Sequence, residues 1–177
     1  MSPEELKARA RRVVEEILNQ GDLAVANELI SPDCVHHVPG GQPAPGLAGL
    51  IGWLAVTQRI FPDFHAIVED EIAEGDRVVQ RITCYGTHQG EFSGVRPTGE
   101  QVTFPSIEIN RAGTDGKFTE HWSSADLLGV LHRLDVVPAL AGHTPGRSRH
   151  APDPADHIPG RPHLPEGDSD GFIRPHT

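Results

Sequence analysis

The residues with most chemistry in them lie close together late in the chain: Trp122, Ser124 and Asp126, at alternate positions. The run from Lys117 to Gly129 alternates in the manner of a strand, so Glu120, Trp122, Ser124 and Asp126 are expected on one face. A carboxylate behind a tryptophan on an apolar sheet face is hard to ionise. Such a group serves as a general base or acid near neutral pH. The same position also suits a helix N-cap, because Leu127 opens an apolar helical pattern and Asp is favoured there. His121, of opposite parity, is expected to point away.

A second pair lies upstream. Ser106 and Glu108 are two apart on a predicted strand and so share a face. If Glu108 meets Asp126, the two carboxylates would share a proton, since close carboxylates rarely both ionise. The other pairing open to Glu108 is with Arg81 or Arg111 across strands. Trp53 and Trp122 suit either core packing or a flat platform for a substrate. His88, in Thr87-His88-Gln89-Gly90, is read mainly as organising its loop.

Composition narrows the class. The chain has 177 residues, 37 % of them hydrophobic, with 19 Gly, 16 Pro and a net charge of −10. The acidic balance argues against a nucleic-acid partner. No apolar run is long enough to span a membrane. Met1-Ser2-Pro3-Glu4-Glu5 opens a charged amphipathic helix rather than an apolar leader. Two cysteines, Cys34 and Cys84, form no Cys-x-x-Cys pair, which fits reduced thiols in a cytoplasmic protein. No dinucleotide fingerprint, Walker motif or tight metal-ligand spacing occurs, so no cofactor and no metal are expected.

The elements that must position these groups occupy residues 1–137. Ser2-Pro3-Glu4-Glu5 is a capping box, and apolar positions from Leu6 to Leu18 keep helical spacing until Gly21. Helices are also expected near Leu23–Ile30, Leu47–Ile60 and Leu127–Leu134. Strands are expected over Phe64–Glu74, Val78–His88, Gln101–Arg111 and onward from Lys117. Helices followed by an antiparallel meander make an α+β fold with a pocket between helices and sheet. Residues 138–177 hold 8 of the 16 prolines and 5 of the 11 histidines. With no hydrophobic periodicity, they read as a separate C-terminal arm or tail.

Three blocks of this sequence resemble one family. They are Phe61-Pro62-Asp63-Phe64 with Glu74-Gly75-Asp76-Arg77; Gly86-Thr87-His88-Gln89-Gly90 through Pro97-Thr98-Gly99; and Glu120-His121-Trp122 with Asp126-Leu127-Leu128-Gly129. In order and spacing they resemble the SnoaL-like polyketide cyclases, or ester cyclases, over about residues 5–135. That family belongs to the nuclear transport factor 2-like superfamily of cone-shaped α+β barrels.

The resemblance implies ring closure by intramolecular aldol condensation of a small apolar, polyketide-type substrate, or an isomerisation, without cofactor. It puts Asp126 at the position of the family's acid/base aspartate. It also selects His37, in His36-His37-Val38-Pro39, as a pocket-facing donor. Substrate contacts are expected from Trp122, Glu108, Ser106, Trp53, Phe61 and His88. Where the cyclases carry a glutamine and a histidine, this chain has Ser106 and Glu108. The alternatives are an epoxide hydrolase-like enzyme, a hydroxylase accessory protein and a non-catalytic binding cone. Ile107 and Ile109 are expected on the outer sheet face, where related cones pair, so a homodimer is expected, with the arm docked on the partner.

Overall fold

The computed structural model describes residues 1–38, 41 and 44–137. The expectations placed on residues 138–177, that they form an arm docked on a partner subunit, lie outside the described residues. The element order is α1 (Pro3–Arg12), a π-helical segment (Val13–Leu18), α2 (Leu23–Leu29), β1 (Ile30–His37), α3 (Gly46–Ile60), β2 (His65–Glu74), β3 (Arg77–Thr87), β4 (Gln101–Ala112), β5 (Phe118–Ala125) and α4 (Leu127–Arg133). The capping box forms as read: the Ser2 hydroxyl accepts from the Glu5 N–H, and the Glu5 carboxylate accepts from the Ser2 N–H.

The strands make one sheet in the order β1-β5-β4-β3-β2. Strands β2 to β5 are antiparallel neighbours. Strand β1 was not expected: the sequence from Ile30 to His37 reads as a helix end and a loop, yet it pairs in parallel with β5. Asn19 finishes the far edge, its side-chain amide donating to the Ala66 carbonyl at 2.9 Å and accepting from the Ala66 N–H at 2.8 Å.

Alternation fixes which face is inside. Val78, Gln80, Ile82 and Cys84 on β3 are buried, as are Val102, Phe104, Ser106 and Asn110 on β4. Their neighbours Arg81, Thr103, Pro105 and Ile107 are exposed. Two apolar clusters fill the interior. One gathers Leu6, Ile17, Leu29, Leu54, Val78 and Phe118; the other gathers Ile60, Phe61, Ile82, Cys84, Phe104 and Val130. Between Val78 and Ile82 stands Gln80, paired across the sheet with Glu108. Polar side chains thus interrupt the apolar lining at mid-strand.

Strand β5 carries a bulge. Arg111 pairs with Glu120, but Ala112 pairs with Phe118, leaving Thr119 as the extra residue. A bulge breaks the two-residue period. Phe118 is fully buried, and after Thr119 the inward positions become His121 and Ser123, opposite Asn110 and Glu108. The expected inward face of Glu120, Trp122 and Ser124 therefore lies outside.

Candidate functional site

Inside the sheet, three strands, β1, β4 and β5, and the start of α3 bring one polar network together. His121 Nε2 lies 2.7 Å from Glu108 Oε2. The other Glu108 oxygen accepts from the Ser106 hydroxyl at 2.5 Å and the Ser123 hydroxyl at 3.0 Å. His36, in register with His121, places its Nδ1 3.4 Å from His121 Nδ1 and its Nε2 3.0 Å from the Gly46 carbonyl. Glu108 and His121 side chains keep 13 % and 22 % of their exposure, so the pair is sheltered yet reachable.

Hydrogen-bond chemistry restricts the protons. A carboxylate oxygen and a bare ring nitrogen are both acceptors, so one proton lies between Glu108 and His121. The Glu108 charge also reaches Cys84, whose thiol is pushed up to about 12 by burial first and by this carboxylate second. Cys34 is raised to about 11 by burial and then by Glu120. Both thiols are therefore biased toward the neutral form.

Several expected site residues fall elsewhere. Asp126 is exposed, not enclosed in an apolar cavity. It is the N-cap of α4, and its carboxylate accepts from the Gly129 N–H at 2.8 Å. With Pro105, Ser106, Ile107, Ser124 and Ala125 it edges a shallow surface depression. His37 is on the outer sheet face, stacked on Trp122 with ring centres 5.1 Å apart and bonded to Glu120 at 2.9 Å. Glu120 also pairs with Arg111. The outward orientation expected of His121 is reversed by the bulge.

Glu108 bonds neither Arg81 nor Arg111: Arg81 holds Asp70 and Arg111 holds Glu120. Trp53 is partly exposed and meets Phe64 edge-on at 5.7 Å. Phe61 is core, beside Phe92 and Phe104. His88 organises its loop as read: the Thr98 N–H donates to its Nδ1 at 3.3 Å. Its proton is therefore on Nε2, which has no hydrogen-bond partner among the described residues.

His36, His121 and Ser123 were missed. The signal available was a pair of imidazoles, His36 and His121, with a carboxylate within reach of the second, which strand pairing alone could connect. Among the described residues, no group of three or more His, Cys, Asp or Glu side chains is arranged to hold a metal. No helix among them is long and apolar enough to cross a membrane.

The family model for SnoaL-like polyketide cyclases matches residues 8–134. The chain belongs to this family. Two solved structures are 36 % identical to it. AclR from Streptomyces galilaeus, a proposed hydroxylase, aligns over 78 % of this chain and 90 % of its own with a TM-score of 0.69. IdmH from Streptomyces antibioticus, a proposed polyketide cyclase, aligns over 75 % and 99 % with a TM-score of 0.66. A proposed SnoaL-like polyketide cyclase from Jannaschia sp. CCS1 is 26 % identical, over 77 % and 95 %, with a TM-score of 0.69. No curated protein matches the chain. The α+β fold is the nuclear transport factor 2-like cone expected from the sequence. For this SnoaL-like protein the interior of the cone holds Glu108 and His121.

Proposed function

We propose that this SnoaL-like protein is a cofactor-independent acid/base enzyme acting on a small carbonyl compound with an apolar body, by polyketide cyclase-type ring closure. The observation that carries the reading is the 2.7 Å contact between His121 Nε2 and Glu108 Oε2 in the cone interior, with two serine hydroxyls on the other Glu108 oxygen. Aldol closure takes one proton from a carbon between two carbonyls. The enolate carbon then attacks a carbonyl carbon of the same molecule, and the resulting alkoxide oxygen takes a proton back. A site that accepts a proton and returns it suffices. The Glu108–His121 pair is such a site, since its shared proton can rest on either partner.

The test is proton exchange and cyclisation with aryl-substituted 1,3-diketones and linear 3,5-dioxo esters. Glu108→Gln and His121→Asn should each lower the rate by a factor of roughly 10² or more, the scale of losing a general acid/base. Asp126→Asn should leave the rate unchanged. A loss of turnover in Asp126→Asn alone would overturn the assignment.

A further inference from the structure

We propose that His36 is a positioning residue that fixes the tautomer and orientation of His121. The proposal rests on the reading of Glu108 and His121 as the acid/base pair. Its starting point is the backbone. A carbonyl oxygen only accepts, so the His36 nitrogen facing Gly46, Nε2 at 3.0 Å, carries a proton. A neutral ring protonated on Nε2 has its lone pair on Nδ1. That lone pair faces His121 Nδ1 at 3.4 Å, a long contact that holds only if His121 Nδ1 bears the proton. His121 Nε2 is then the atom whose proton is exchanged with Glu108.

Three further observations support this order. His36 is held neutral: burial lowers its pKa from the ordinary 6.5, the Gly46 carbonyl raises it in part, and the charges of His121 and His37 lower it again. Second, β1 and β5 pair with His36 opposite His121, so the two rings reach the same interior face without long flexible arms. Third, the first turn of α3 is shaped around the ring. Gly46 has φ +59°, and a Cβ there would lie 1.9 Å from the Pro32 carbonyl oxygen. A Cβ at Gly49 would lie 1.9 Å from the Ala44 carbonyl oxygen and 3.2 Å from His36 Cδ2. Glycine at 46 lets the chain pass Pro32 with its carbonyl toward the ring, and glycine at 49 leaves the space beside His36 Cδ2 free. Without His36, a neutral His121 is free to carry its proton on either nitrogen. A neutral ring with its single proton on Nε2 instead of Nδ1 would donate to Glu108 and have no lone pair there to take up the shared proton.

The experiment is side-chain ¹⁵N NMR of the histidines in the full chain, as wild type, His36→Gln and His36→Leu, each titrated with pH. Glutamine keeps one acceptor for His121 and one donor for Gly46; leucine keeps only the bulk. In the wild type, neutral His36 should be the Nε2–H tautomer and neutral His121 the Nδ1–H tautomer. His36→Leu should turn neutral His121 into a mixture of tautomers, and His36→Gln should restore the Nδ1–H form. In catalysis His36→Leu should fall by roughly 10- to 100-fold, the range for losing a group that orients a working imidazole, with His36→Gln recovering much of it. A wild-type His36 carrying its proton on Nδ1 overturns the proposal even if the leucine variant fails to fold. So does an Nδ1–H tautomer of His121 that persists in His36→Leu. These spectra need no substrate. An active Glu108→Gln enzyme would therefore sink the acid/base reading while the tautomer result still decided the part played by His36.

Discussion

At the scale of single residues, Asp126 shows how one side chain can satisfy two sequence patterns and only one environment. Its alternation with Trp122 and Ser124 is real, but the carboxylate turns to the backbone of α4 and stays in solvent. Asn is as good an N-cap as Asp, whereas Ala leaves a helix N–H without its partner. Asp126→Ala should therefore cost about 1 kcal/mol in urea unfolding and Asp126→Asn only a few tenths. Equal losses in the two variants would argue that the charge, not the cap, matters. His36 gives a pH dependence of defined sign. Its folded pKa lies below the unfolded 6.5, so folding favours the neutral ring. The resulting stability is full above about 6.5 and is lost as pH falls through the lowered folded value. His37, His121 and Glu108 are the titratable groups around it. The melting temperature of the wild type should drop more steeply than that of His36→Gln between neutral pH and about pH 5. Parallel curves would show that His36 is not neutral by virtue of the fold.

At the scale of elements, legibility followed periodicity. The capping box and α1, the helix ending before Pro62, the β2 to β4 meander and α4 were all readable because each keeps one period between clear stops. Strand β1 was not, since Pro32 and two adjacent histidines show no alternation, and its only warrant is a parallel partner 85 residues further on. The candidate site was half readable. Glu108 and Ser106 emerged from strand parity, while His121 was placed outside because parity counted from Asp126 takes no account of the bulge at Thr119. Alternation holds only as long as the strand is regular, and bulges re-aim side chains beside sites. Loop docking is equally invisible in a pattern. Gln89 and Gly90 both donate to the Ile60 carbonyl, and a Cβ at Gly90 would lie 2.0 Å from the Arg59 carbonyl oxygen. Gly90→Ala should destabilise the fold by about 1–3 kcal/mol, as overpacking does. Gly52, exposed within α3 with nothing near its missing Cβ, is the matched control. Gly52→Ala should stabilise by about 0.5–1 kcal/mol. Thermal melts in which both variants shift the same way would contradict this account.

At the scale of the whole molecule, the outer sheet face exposes apolar side chains on several strands. Ile107 is 41 % exposed on the central strand β4, Ile72 is 69 % exposed on β2, and Val35 is 48 % exposed on β1. Ile109 and Trp122, half-buried, pair directly across β4 and β5 on the same face. Apolar residues spread over several strands of one sheet face are a liability in water. Arg81 with Asp70, and Arg111 with Glu120, add charged pairs on that face. An apolar patch with satisfied ion pairs has the make-up of an interface: a dry centre and a polar surround. We propose that a second copy of this chain covers it, sheet face to sheet face. Each apolar Å² removed from water contributes about 25 cal/mol, so placing a charge at its centre opposes pairing strongly. The wild type should then sediment at twice the 19.2 kDa of one chain. Ile107→Lys should shift that equilibrium toward the monomer without unfolding it, because Ile107 contributes nothing to the interior of its own cone. A wild type that sediments as a monomer at high concentration would remove the dimer. An Ile107→Lys dimer of undiminished affinity would move the interface to another face.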